Sequence, residues 1–206
     1  MILVHQNGYC NYYSYMKNLK EYIKESILGD WVDIDANKIA DDNISAQRKE
    51  VVEFIRKNYI SSIGVEISEL PNSDGKFEVS SKGDVQIRNS MSNNSLTNGL
   101  FVFTKVNQSF ICVWNRRLTS LEGAPKEVGG NFSCRYCENL SSLEGAPKEV
   151  GGDFDCGGCS NLKSIKGMPK KIQGCFTCYN CAKKFTINDV KKYSKVGGKI
   201  VLEDPF

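Results

Sequence analysis

The sequence is short of the groups on which most recognisable enzyme chemistry depends. Its 206 residues contain one histidine, His5. A Cys–His nucleophilic pair built on it would need Cys10, and no third group orients such a pair. There is no G-x-x-x-x-G-K-[ST] stretch, which excludes the common phosphate-cradling loop. No segment approaches the roughly eighteen consecutive apolar residues of a membrane span. The opening MILVHQNGYCNYY has a short apolar start with no basic stretch ahead of it, unlike a secretory signal. An excess of charge of one sign is missing too: 27 basic and 24 acidic residues leave a net +3, with lysines scattered among glutamates. A nucleic-acid-binding protein would gather its basic residues, so these charges read as solvated surface. Glu122, Glu144 and Glu149 sit in a repeated polar segment and take the same reading. No catalytic constellation is present, and no cofactor is implied.

What the chain has in quantity is cysteine, nine in all. An odd number without a secretory signal reads as reduced thiols in a soluble, cytosolic protein. A hydrophobic fraction of 40% and a charged fraction of 25% are ordinary for a globular chain. The length suits one medium domain or a domain with a smaller attachment. Residues 132–159, FSCRYCENLSSLEGAPKEVGGDFDCGGC, hold two C-x-x-C pairs separated by eighteen residues. That spacing also fits a structural zinc site.

Periodicity decides between the two origins. FICVWNRRLTSLEGAPKEVGGN from Phe110, FSCRYCENLSSLEGAPKEVGGD from Phe132 and FDCGGCSNLKSIKGMPKKIQGC from Phe154 align without gaps, and a fourth block begins FTCYNCAKKF at Phe176. The period is 22 residues, and SLEGAPKEVGG occurs twice verbatim. Phe110, Phe132, Phe154 and Phe176 share one column, and Cys112, Cys134, Cys156 and Cys178 the next. Asn115, Cys137, Cys159 and Cys181 form a third. Leu118, Leu140 and Leu162 follow, then Leu121, Leu143 and Ile165, and Val128, Val150 and Ile172 close the unit. This is close to the leucine-rich-repeat signature, in which a short strand is followed by an inward Asn or Cys. In F-x-C, alternate side chains face one side, so Phe and Cys point inward. A buried Asn in column three can bond the backbone of adjacent coils, and a Cys fills the same space. One coil cannot bury its face alone; stacking makes a continuous core. Each C-x-x-C is then a column-two residue followed by a column-three residue. Asn115 stands where a zinc site would need a thiolate, so a zinc-binding module is the lesser alternative. Cys175, out of register, is the cysteine expected to be most exposed.

These blocks resemble the leucine-rich-repeat-like proteins of many tailed bacteriophages and some gut bacteria, whose coils read approximately F-x-C-x-x-N-x-L-T-S-L-E-G-A-P-K-E-V-G-G. The match covers about residues 77–181. The resemblance implies a β-rich, leucine-rich-repeat-like solenoid with 22-residue coils and little convex helix, and a viral origin. It implies no particular activity. The segment MKNLKEYIKES is similar to head-targeting signals of phage internal head proteins, of form M-K-x-x-x-E-[FY]-I-x-E. Met16, Lys17, Glu21, Tyr22, Ile23 and Glu25 match. That likeness implies Met16 as the start and cleavage by a head protease after Glu25.

The flanks read as caps. Residues 1–62 form an N-terminal helical region with two amphipathic helices. MKNLKEYIKESIL groups Met16, Leu19, Tyr22, Ile23 and Ile27 and ends at Gly29. ISAQRKEVVEFIRKNY groups Ile44, Val51, Val52, Ile55 and Tyr59. Residues 63–108 are a β cap and first coil: Ile63, Val65 and Ile67 alternate, PNSDG turns, and Phe77 and Val79 alternate again as a hairpin leading to a strand at Val85. Residues 109–185 are the solenoid proper. Residues 186–206 are a helix–strand cap, with a Thr186–Asp189 capping box, Gly197 as the helix stop and KIVLE as a last strand.

Outward strand positions escape the packing constraint, so their residues bear on function. The three outward columns are Ile111, Ser133, Asp155, Thr177; Val113, Arg135, Gly157, Tyr179; and Trp114, Tyr136, Gly158, Asn180. Aromatic and Arg residues are enriched at binding hot spots. Ile111, Val113, Trp114, Arg135, Tyr136, Asp155 and Tyr179 are expected to form a partner-binding face. The expectation is a non-enzymatic module binding a protein of host or phage, with no nucleic acid or membrane partner, in the host cytoplasm. The alternative is a structural or packaged protein of the virion head.

Overall fold

Phe110, Phe132, Phe154 and Phe176 lie one above another, fully buried, with ring centroids 5.5, 5.0 and 5.9 Å apart and planes 8°, 9° and 21° from parallel. Their common spacing in the chain returns the same side chain to the same height on every turn. The computed structural model describes residues 36–62, 64–87, 96–97 and 99–204, and over them the chain winds as a β-solenoid of about five turns. Burying each phenylalanine is worth about 1.5–3 kcal/mol, and each aromatic contact adds roughly 0.5–1.5 kcal/mol.

Every coil gives one short strand to each of two sheets. The first sheet runs β1 (Tyr59–Ser62), β4 (Val85–Ile87), β6 (Phe110–Ile111), β8 (Phe132–Ser133), β10 (Phe154–Asp155), β12 (Phe176–Thr177), β14 (Ile200–Val201). The second runs β2 (Val65–Ile67), β3 (Phe77–Ser81), β5 (Phe101–Val106), β7 (Glu127–Val128), β9 (Glu149–Val150), β11 (Lys171–Ile172), β13 (Lys195–Val196). Neighbouring coils pair in parallel and in strict register, Phe over Phe and Val over Val. The second sheet is a feature the sequence reading did not anticipate. Its two-residue E-V strands are too short for alternation to show. Between the sheets lie the leucine columns, the valines and the column-two cysteines, all buried.

The Gly-Gly step after each E-V strand exists because coils come close there. A Cβ at Gly151 would collide with the Gly129 carbonyl oxygen of the coil before. Glycine is the residue that permits such an approach.

Two antiparallel strands close the N-terminal end. β1 pairs with β4, and β2 pairs with β3, setting Val65 opposite Ser81 and Ile67 opposite Val79. The hairpin turn is held by Asn72, whose Oδ1 accepts from the amides of Asp74 and Lys76 at 3.0 and 3.1 Å. Helix α1 (Ala36–Asn58) lies against this end. Ile44, Val51 and Ile55 are buried, and the Phe54 ring meets Phe101 edge-on at 5.8 Å. Arg48 Nη2 donates to the Ile67 carbonyl at 3.1 Å. The helix begins at Ala36 rather than Ile44, because its first residues tolerate a helix without an apolar period to reveal it. Tyr59 opens β1 instead of closing the helical stripe. No described helix is long and apolar enough to cross a membrane.

At the other end, helix α2 (Ile187–Tyr193) starts with the expected capping box. Thr186 Oγ1 accepts from the Asp189 amide at 3.2 Å, and Asp189 Oδ2 accepts from the Thr186 amide at 2.9 Å. Gly197 is not its stop. The helix ends at Ser194, in extended conformation, and Lys195–Val196 becomes β13 in register with Lys171–Ile172. K-V-G-G-K-I is thus the E-V-G-G-x-F step of one more coil, and β14 pairs Ile200 with Phe176.

Candidate functional site

The aromatic positions of the third outward column sit at a sharp corner just past the strand. Trp114, Tyr136 and Asn180 have φ of 60°, 56° and 50°, and Gly158 has 75°. The corners stack through backbone bonds. The Trp114 amide donates to the Arg135 carbonyl at 2.8 Å, Tyr136 to Gly157 at 3.0 Å and Gly158 to Tyr179 at 2.8 Å. Left-handed backbone favours Gly and Asn. The last two coils carry those residues, whereas the first two carry bulky aromatics. The alternation rule placed Trp114 and Tyr136 on the strand; the strand is only two residues long, and the corner projects them instead.

The projected side chains form one connected patch. The Trp114 and Tyr136 rings stack with centroids 4.1 Å apart and planes 19° from parallel. Trp114 remains 47% exposed. Arg135 lies between two tyrosines, its guanidinium carbon 5.1 Å from the Tyr136 ring and 5.7 Å from the Tyr179 ring. It donates to the Tyr136 hydroxyl at 3.2 Å and to the Tyr179 hydroxyl. Its Nε pairs with Asp155 Oδ2 at 3.4 Å. Asp155 Oδ1 accepts from the Gly157 amide at 2.9 Å. Burial pushes the Asp155 carboxyl above its ordinary range, offset in part by that amide and by Arg135. The floor is glycine: a Cβ at Gly158 would enter the Tyr136 ring, and one at Gly157 would stand 2.7 Å from the Tyr179 ring.

Five of the seven expected interface residues, Trp114, Arg135, Tyr136, Asp155 and Tyr179, are therefore joined by contacts, with Ile111 and Val113 on the same coil as Trp114, and the seven are not equally accessible. Trp114 is exposed, and Ile111, Val113, Arg135, Tyr136 and Asp155 are half-buried. Tyr179 is a correction to the outward-facing expectation: only 5% exposed, it lies over Gly157 and orients Arg135 from beneath. Glu25, and with it His5 and Cys10, lies outside the described residues.

The thiols form a ladder of their own. Cys137 Sγ donates to the Cys112 carbonyl at 3.0 Å, and Cys159 Sγ to the Cys134 carbonyl at 3.1 Å. In the first coil, Asn115 Oδ1 accepts from the Arg117 amide at 3.2 Å. Among the described residues, no three or more His, Cys, Asp or Glu side chains converge as a metal site. Cys175 is half-buried, and its Sγ accepts from the Lys199 amide at 3.4 Å.

That bond belongs to a ladder the sequence reading missed. The residue before each strand of the first sheet accepts, by its side chain, from the amide of its counterpart one coil later. Asp84 accepts from Ser109 at 2.7 Å, Ser109 from Asn131 at 3.2 Å, Asn131 from Asp153 at 2.8 Å, and Asp153 from Cys175 at 2.7 Å. The available signal was a polar atom always preceding the strand, whatever the residue type. No protein-family model, curated protein or solved structure matches the chain.

Proposed function

We propose that this chain is a non-enzymatic interaction module that binds a partner protein through the Trp114–Tyr136–Arg135 face of its solenoid. The observation that carries the reading is the strain at the corner. A bulky residue in left-handed backbone costs about 1–2 kcal/mol, and the equivalent corners use Gly158 and Asn180 without that cost. Stacking between the two rings returns only roughly 0.5–1.5 kcal/mol in total. Two strained aromatics, one of them 47% exposed, are poor choices for stability and good ones for a binding hot spot. Tyr179 and Asp155 fix Arg135, so the face is preorganised and little side-chain freedom is lost on binding. The phage-type reading belongs to the same proposal and rests on the LTSLEGAPKEVGG-type repeats; the partner is then a protein of the bacterial host or the phage.

The test is a double substitution to the residue the fourth coil already uses, Trp114→Asn with Tyr136→Asn. The variant keeps a corner-compatible side chain, so its urea midpoint is expected to equal or exceed that of the parent. Proteins captured from bacterial lysate by the parent are identified and titrated against both forms. A loss of about 2 kcal/mol at each aromatic anchor, roughly thirtyfold in Kd apiece and several hundredfold for the double variant, is the expected result. Equal affinity for both forms would remove this face as the binding surface.

A further inference from the structure

The last C-x-x-C differs from the two before it. In the inner coils the column-three sulfur is fully buried and donates to a carbonyl of the preceding coil at 3.0–3.1 Å. Cys181 Sγ stands 3.7 Å from the corresponding Cys156 carbonyl and is half-buried. Its nearer neighbour is Cys178 Sγ, at 2.9 Å. Both sulfurs line a cleft of about 970 Å³ at the C-terminal end of the solenoid. Lys183, Lys184 and Lys199 line the same cleft with Glu203 and Asp204, three cations against two carboxylates, one of which accepts from Asn180. The next step of the chain, K-I-V-L, pairs with Phe176–Thr177 and leaves Cys178 buried, but it brings no cysteine to continue the third column, and Cys181 stays half-buried.

We propose that Cys178 and Cys181 form a reversible dithiol–disulfide site whose co-substrate is an anionic, low-molecular-weight disulfide of the glutathione class. Cys181, the more accessible thiol, loses its proton and attacks one sulfur of the external disulfide. A mixed disulfide forms, and the first thiol leaves with a proton. Cys178 then loses its proton and attacks Cys181 Sγ, closing the internal bond and expelling the second thiol. The protein dithiol is oxidised, the external disulfide is reduced to two thiols, and no other electron carrier is needed. The three lysines of the lining offer partners for the carboxylates of such a disulfide. Contact with Cys178, and then burial, hold the Cys181 thiol above its ordinary range, which slows the loss of its proton. The inner pairs are sealed from the same reagent.

The experiment uses the full chain, incubated with oxidised glutathione under native conditions, acid-quenched, then unfolded and alkylated without reduction. Trypsin releases residues 172–183, which contain Cys175, Cys178 and Cys181. The expected peptide has lost two hydrogens and carries a single alkyl group, on Cys175. Chymotryptic cleavage after Tyr179 leaves its halves joined until dithiothreitol is added, and Cys134, Cys137, Cys156 and Cys159 are fully alkylated. A Cys181→Asn variant, with the residue found at Asn115, keeps the parent's circular dichroism and forms no internal bond. Full alkylation of all three thiols in 172–183, a glutathione adduct that never closes, or equal oxidation of the inner pairs would each overturn the proposal.

Discussion

Sulfur in the inner coils acts as a small apolar filler with one directed bond, and the environment keeps the column-two thiols protonated, whereas the same contact with Cys112 lowers Cys137. Hydrogen bonding to Cys137, with burial, holds Cys112 well above its ordinary range, and Cys159 does the same for Cys134. Burial alone is the largest cause at Cys156, pushed up to about 11 from an ordinary 9.0. Because the folded thiol binds its proton more tightly than the unfolded one, this stabilisation is complete below pH 9 and is lost as pH rises toward 11. The expected outcome is a urea midpoint that declines between those values and a core-thiol reaction with aromatic disulfide reagents that waits for unfolding. A midpoint that stays level to pH 11 would show that the thiols ionise alike in both states. At this scale the sequence carried much: the cysteine and phenylalanine columns follow from the period alone. The patch around Arg135 was legible in membership but not in accessibility, since nothing in the spelling of Tyr179 shows that it would lie over Gly157.

Each short strand begins under a polar side chain supplied by the coil before it. Asp153 Oδ1 accepts the Cys175 amide at 2.7 Å, and the residues in that column are Asp84, Ser109, Asn131, Asp153 and Cys175. They share an acceptor atom and no side-chain type, which is why a comparison of letters passed over them. Removing the acceptor leaves an amide at a tight inter-coil step without its partner. Asp153→Ala is expected to cost about 1–2 kcal/mol in urea unfolding, and Asp153→Asn, which keeps the oxygen, much less. Equal losses for both would mean that the charge, and not the bond, matters. The helical cap shows the same division. T-x-x-D announced α2 because a capping box has a fixed spelling, whereas V-G-G looked like a helix stop until pairing with Lys171–Ile172 identified it as a strand and turn.

Across the whole molecule, contacts run between neighbouring coils, so stability should divide nearly evenly along the axis. Deleting residues 132–153 removes one turn, sets Phe154 above Phe110 and leaves Asn131 ahead of the strand. The shortened chain is expected to fold with similar circular dichroism and to lose about 1–3 kcal/mol, a 22-residue share of ordinary stability. Deleting residues 132–142 breaks the register and is expected to abolish cooperative unfolding. If both deletions fold equally well, the stacked register is not what holds the chain together. The solenoid was readable because its period is written four times; the caps were harder, since each occurs once. The side-chain ladder gives the stack a direction: its acceptor comes from the earlier turn and its amide from the later one, opposite to the backbone bonds of the same sheet. A turn emerging from the ribosome thus meets a template already in place, and synthesis lays the rungs in the order in which they hold one another.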